Sequence, residues 1–229
     1  MNAVKGSPDA APSAAQVRRV VLLHGLWMPA ASMQVLARRL VRRGFEPELF
    51  GYATVAGGPE RAVPRLADRL AAAPCHVLAH SLGGLLIVHT LRAEPGLPVA
   101  RAVCLGSPLC GSAAADGVAR APAIGRLLGR SAGLLRTGCT PWRGRTQLGV
   151  IAGSRPRGLG QMFGRFDGPC DGTVSVAETR LAGLADHVVI DASHCGLLLS
   201  GDAVALAAHF FAHGRFREPG AAQAAQALE

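Results

Sequence analysis

Ser81 stands in Ala79-His80-Ser81-Leu82-Gly83-Gly84, a small-x-Ser-x-Gly turn with Val77-Leu78-Ala79 before it and Leu85-Leu86-Ile87-Val88 after it. An apolar run into such a turn and another out of it describe a buried strand that reverses at the serine and enters a helix. Small neighbours are needed because a bulky Cβ would collide in so tight and strained a turn. A hydroxyl held there is a candidate attacking group for acyl transfer. Taken alone, Ser81 is equally an N-cap opening the helix at Leu82. Its company separates the two readings. Val20-Val21-Leu22-Leu23 runs into His24-Gly25-Leu26-Trp27, and Asp171-Gly172-Thr173-Val174 and then His194 each lie beside a short apolar run. Serine, acid and histidine thus occur in the order Ser, Asp, His, the residue types that nucleophilic acyl transfer requires.

The elements that must position these residues follow from hydrophobic periodicity. Strands are expected over 19–24, 45–50, 75–79, 99–105, 148–153 and 187–190. Helices are expected over 29–43, 59–72, 82–93 and 201–213. In the first, Met33, Leu36, Leu40 and Val41 form an apolar stripe while Arg38, Arg39, Arg42 and Arg43 face out. Strands alternating with helices imply an α/β fold, with a mainly parallel sheet covered on both faces. Only a short polar segment precedes the first strand.

The 229 residues suit one domain with a sizeable core, and 49% of them are hydrophobic. The expected organisation is a disordered lead-in over 1–17, one domain over 18–216 and a flexible tail over 217–229. No apolar run approaches the roughly 18 residues of a membrane span. The lead-in lacks the apolar core of a secretory signal, which sets a cytoplasmic expectation, with secretion left open. A formal charge of +9 invites a nucleic-acid reading. Yet the cations are arginines apart from Lys5, and no arginine block is interleaved with aromatics as a stacking groove needs. None of the six cysteines sits in a CxxC pair, so zinc is not indicated. Reduced thiols are the default and Cys104 reads as core, but Cys110 and Cys139 could staple the chain between them if the protein were exported.

Residues 109–147 interrupt the alternation. Six arginines (120, 126, 130, 136, 143 and 145) face one acid, Asp116, and Ile124, Leu127, Leu128, Leu134 and Leu135 form a stripe loosened by Gly125, Gly129 and Gly133. Two readings stay open: a lid over the site, or a surface helix pair covering the sheet.

With these residues in place, the chain from about 18 to 213 resembles the α/β-hydrolase superfamily and, within it, bacterial lipases and esterases. The resemblance rests on His24-Gly25-Leu26, on Ala79-His80-Ser81-Leu82-Gly83-Gly84, on Gly106-Ser107-Pro108-Leu109-Cys110-Gly111-Ser112 and on Asp171-Gly172-Thr173-Val174. Ala79 stands where the family pattern usually has glycine. The resemblance implies a compact form lacking the two opening antiparallel strands, and hydrolysis of small-molecule or lipid carboxylic esters with no cofactor or metal. In that frame Ser81 attacks, His194 moves the proton and Asp171 orients the imidazole. The backbone N–H groups of Leu26 and Leu82 meet the oxyanion. His24, Gly25, His80 and Gly83 shape the elbow and oxyanion loop, the two histidines by packing and hydrogen bonding. His187 is the rival of His194, and Asp167 and Asp191 are the rivals of Asp171. Trp27, Met28, Met162 and Phe163 could line an acyl pocket or belong to the core. An acyl thioesterase or acyltransferase, its arginine-rich insertion facing an acidic acyl carrier protein, is the alternative enzyme. A catalytically silent binding fold is the alternative class.

Overall fold

The computed structural model describes residues 13–112, 126–135, 139–157 and 168–216. Six strands form one sheet in the order β2-β1-β3-β4-β5-β6, every neighbouring pair parallel. They are β1 (Arg19–Leu23), β2 (Glu46–Phe50), β3 (Cys75–His80), β4 (Val99–Leu105), β5 (Gln147–Gly153) and β6 (Asp186–Ile190). Among the described residues the α-helices are α1 (Gln34–Val41), α2 (Gly58–Ala71), α3 (Leu82–Ala93), the short α4 (Ala132–Leu135) and α5 (Gly201–His213).

Alternation along β1 shows how the sheet acquires two cores, since successive strand side chains point to opposite faces. Val21 and Leu23 join Val77 and Ala79 against Leu66 and Leu70 of α2 and Leu82 and Leu86 of α3. Val20 and Leu22 join Leu78 on the other face, against Leu36 and Leu40 of α1 and Phe210 and Phe211 of α5. β3 is buried along its whole length, as the centre of a parallel sheet covered on both sides requires. The α/β sheet expected from the sequence is therefore present, and all of its pairings are parallel.

The helix expected over 29–43 opens as a 3₁₀ turn at Ala30–Met33, where Ser32 bonds the Pro29 carbonyl through both its N–H and its hydroxyl. Only from Gln34 is it α-helical. Of the expected lead-in, residues 1–12 lie outside the described residues. Ala14–Gln16 form a 3₁₀ turn, Val17 is buried, and the His76 imidazole bonds the Ala14 carbonyl. The expected tail, 217–229, lies outside the described residues.

The insertion is described in part. Arg126–Ser131 form a 3₁₀ stretch kinked at Gly129, and Leu128, Leu134 and Leu135 pack into the core on the α2–α3 face. The kink breaks the continuous stripe that leucine spacing suggests, because Gly129 takes φ 53°. Cys110 and Cys139 are joined by a disulfide, while Cys75, Cys104, Cys170 and Cys195 are free. For this pair the default of reduced thiols is corrected: the fold brings the two cysteines together although 29 positions separate them. Such bonds persist in oxidising compartments. Among the described residues no helix is long and apolar enough to cross a membrane.

Candidate active site

The winding reverses between β1 and β3: the chain passes outward to β2 on one side, then from β3 to β6 on the other. At such a switch point the carboxyl ends of the strands open a crevice. Ser81 stands there, directly after β3, with φ 53° and ψ −119°. A non-glycine residue in such a conformation costs about 1–3 kcal/mol and persists only where its surroundings enforce it. Here the Ser81 N–H donates to the Leu105 carbonyl (2.9 Å), and the Gly84 N–H donates to the Ser81 carbonyl (3.0 Å). α3 then presses onto the strand ends at main-chain distance. A Cβ on Gly83 would stand 2.8 Å from the Leu23 carbonyl oxygen and 2.9 Å from that of His24.

Asp171 follows β5 with its carboxylate wholly buried. Its Oδ1 accepts the N–H groups of Thr173 (2.9 Å) and Val174 (2.7 Å), an Asx turn. Its Oδ2 lies 2.7 Å from Nδ1 of His194. A carboxylate oxygen accepts, so in this pair the hydrogen lies on Nδ1. The His194 main chain is gripped from two sides: its N–H donates to the Asp171 carbonyl (2.9 Å), and its carbonyl accepts from His80 Nε2 (3.0 Å). The rings of His80 and His194 lie 4.6 Å apart. Burial, reinforced by the neighbouring His194, pushes His80 down to about 3, so it stays neutral and donates from Nε2. Its Nδ1 is buried with no hydrogen-bond partner among the described residues. Gly106, at φ 53°, closes this side: a Cβ there would stand 2.9 Å from Asp171 Oδ2 and 3.2 Å from His194 Nδ1.

On the opposite side the chain leaving β1 crosses over the elbow. A Cβ on Gly25 would lie 3.2 Å from that of Ser81 and 3.0 Å from His80 Nδ1, so the crossing leaves only tight contacts for a side chain here. Tyr52 braces the start of the crossing. Its N–H donates to His24 Nε2 (3.4 Å), its hydroxyl donates to the His24 carbonyl (2.7 Å), and the two rings stack at 4.4 Å. With Nε2 accepting, His24 Nδ1–H donates to the Gly25 carbonyl (3.0 Å), and burial lowers the His24 pKa so that the ring stays neutral. Burial raises the Tyr52 pKa, which keeps its hydroxyl a donor. Leu82 opens α3, so its N–H has no partner within the helix. Among the described residues neither it nor the Leu26 N–H has an intramolecular acceptor.

The rival residues lie elsewhere. His187 is on β6 with Nε2 2.8 Å from Thr179 Oγ1, and Asp191 pairs at the surface with Arg155, at 2.5 Å from Nη2. Asp167, Met162 and Phe163 lie outside the described residues. Met28 packs against the α1–α5 core, whereas Trp27 is 55% exposed. Gly106, Tyr52 and Thr54 carry contacts that motif reading did not single out as site features. Gly106 directly follows β4, whereas Tyr52 and Thr54 lie further into the loop after β2, so only their place beyond the carboxyl edge of the sheet could have pointed to them.

No protein-family model and no curated protein sequence matches this chain. Solved structures do. The mature lipase BlEst2 of Bacillus licheniformis superposes with a TM-score of 0.64 at 21% identity, covering 84% of this chain and 91% of the lipase. The pyrethroid hydrolase PytH gives 0.59 at 16% identity, covering 87% of this chain and 99% of that one. The metagenomic carboxyl esterase MGS0156 gives 0.55 at 18% identity, covering 83% and 68%. At these identities the likeness establishes the fold, which is that of the α/β-hydrolases.

Proposed function

We propose that this chain, built on the α/β-hydrolase fold, is a serine hydrolase that cleaves carboxylic esters through an acyl-enzyme. The observation that carries the reading is the buried Asp171–His194 pair, 2.7 Å from Oδ2 to Nδ1, at the edge of the sheet where Ser81 is held at positive φ. In this reading Ser81 Oγ attacks the ester carbonyl while its proton passes to His194 Nε2. Asp171 holds the imidazole in the tautomer that leaves Nε2 free and stabilises the cation that forms. The tetrahedral oxyanion takes hydrogen bonds from the Leu26 and Leu82 N–H groups, the loss of one such donor typically costing about 3–4 kcal/mol of transition-state stabilisation. Collapse expels the alcohol, which receives the proton from His194. Water then repeats the sequence on the acyl-enzyme and releases the acid.

The test is hydrolysis of p-nitrophenyl esters from acetate to palmitate by the wild type beside Ser81→Ala. Turnover that disappears in Ser81→Ala on every ester supports the reading, and the preferred chain length measures the acyl pocket. Ser81→Ala with wild-type turnover overturns it.

A further inference from the structure

The loop after β2 holds the oxyanion loop, and the inserted segment in turn holds the loop after β2. Gly25 to Met28 form a turn closed by the Met28 N–H on the Gly25 carbonyl (3.4 Å). Trp27, its third residue, takes φ 59°, whereas Leu26 has no positive φ. That is the type II arrangement, whose third position favours glycine or asparagine. A tryptophan there has a relaxed alternative: rotation of the Leu26–Trp27 peptide to a type I turn. Such a rotation swings the Trp27 N–H and the Leu26 carbonyl to opposite sides of the turn, beside the Leu26 N–H.

The Trp27 N–H donates to Thr54 Oγ1 (3.2 Å), which holds that peptide in the strained orientation. One such bond is comparable to the cost of a non-glycine residue at positive φ, so it weighs directly on the choice between the turns. The Thr54 carbonyl accepts the Ser131 hydroxyl, and the next carbonyl, that of Val55, accepts the Arg130 N–H (3.0 Å). Arg130 also pairs with Glu60 of α2 (2.6 Å). Gly129 allows this close seating, since a Cβ on it would stand 2.8 Å from the Val55 carbonyl carbon. Thr54 and Ser131 are both buried, so water does not compete for these bonds.

We infer that Thr54 is a positioning residue for the oxyanion loop: its hydroxyl selects the turn that presents the Leu26 N–H, and its carbonyl ties that turn to the inserted segment through Ser131. The inference rests on the oxyanion role proposed for Leu26. It is tested by kcat and KM on p-nitrophenyl butyrate, and by the affinity of an alkyl boronic acid that adds to the serine as a tetrahedral adduct. The proteins are wild type, Thr54→Val, Thr54→Ser, Ser131→Ala, the Thr54→Val/Ser131→Ala double variant and Ser81→Ala.

Thr54→Val keeps the side-chain shape and removes the acceptor. It is expected to lower kcat on the order of tenfold, with KM within about twofold and boronate affinity falling in parallel with kcat. Thr54→Ser is expected to restore near-wild-type values. Ser131→Ala is expected to lower kcat roughly threefold alone and to add nothing to Thr54→Val, because its effect passes through the Thr54 hydroxyl. Wild-type kcat in Thr54→Val, a loss confined to KM, or equal loss in Thr54→Ser overturns the inference. Should Thr54→Val not fold, Ser131→Ala decides: lower kcat at constant KM supports the inference and an unchanged kcat overturns it. Activity retained by Ser81→Ala overturns the reading of the site itself. Serine-dependent turnover untouched by Thr54→Val overturns this inference alone.

Discussion

On one side of Ser81, Asp171 and His194 are buried and held by two N–H groups on Asp171 Oδ1, by the His194 N–H on the Asp171 carbonyl and by the His80 imidazole on the His194 carbonyl. On the other side, the chain from His24 to Met28 has one main-chain bond of its own, is held by the Tyr52 and Thr54 hydroxyls, and places a tryptophan at positive φ. The acid–histidine side is assembled from the segments that follow β5 and β6, packed against the carboxyl ends of β3 and β4. The other side is assembled from two loops and from residues 129–131 of the segment between β4 and β5. Preorganisation is thus distributed unevenly. In the proposed mechanism the proton-transfer half is buried, while the charge-stabilising half is held through contacts that run from Thr54 to Ser131.

The largest effect is expected where the acid–histidine side meets the chemistry. Asp171→Asn keeps the packing but frees His194 to adopt the wrong tautomer, and kcat on a short p-nitrophenyl ester is expected to fall about 10⁴-fold. A loss under tenfold would remove Asp171 from the mechanism. Next comes the disulfide in the segment between β4 and β5. Replacing Cys110 and Cys139 by serine is expected to cost up to about 3–4 kcal/mol of stability, read from the urea midpoint, because the unfolded chain regains the freedom of the closed loop. Equal midpoints for variant and wild type under oxidising conditions would show that the bond does not hold this segment.

Gly106→Ala sharpens the contrast. The new methyl meets both Asp171 Oδ2 and His194 Nδ1 at a positive-φ position, and an imidazole displaced by this clash is expected to lose about 10²-fold in kcat. A Gly106→Ala enzyme with normal kcat would mean that the acid–histidine side is less rigid than its hydrogen bonds imply.

The smallest effect concerns pH. Burial lowers His76 from its ordinary 6.5 to about 4, and His80 to about 3. The unfolded chain therefore binds more protons than the folded one below about pH 6.5, and stability falls as pH drops towards 4, by up to about 1.4 kcal/mol per pH unit for each such histidine. His76→Phe, which keeps the stacking on Phe211, is expected to flatten the stability profile between pH 6 and 4. An unchanged slope would show that the folded state protonates His76 freely.

The strands, most of the helices and the Ser81 elbow were legible because each writes its reason into neighbouring residues: alternation for β1, helical spacing for α2, small residues around the turn. The His194–Asp171 approach was legible only as chain order, since order alone carries no distance. The His80 bond to the His194 carbonyl joins positions 114 residues apart and leaves no local pattern. Tyr52 and Thr54 carry no local pattern beyond their place after β2, because their contacts come from the adjacency of β1 and β2 at the sheet edge. Gly106 stands in a motif, yet its need for glycine comes from its φ of 53° and from side chains supplied later in the chain. The Cys110–Cys139 pair could be framed as an option but not chosen, because spacing does not tell which cysteines meet.

The most direct test of the central claim is to trap the acyl-enzyme. A p-nitrophenyl ester is mixed with the protein, the reaction is quenched in acid within the first turnover, and the peptide containing Ser81 is weighed by mass spectrometry. The account predicts one acyl group on Ser81 in the wild type, formed far more slowly in His194→Ala. Turnover with no acyl group on Ser81, or the same group carried by another residue in Ser81→Ala, would contradict it.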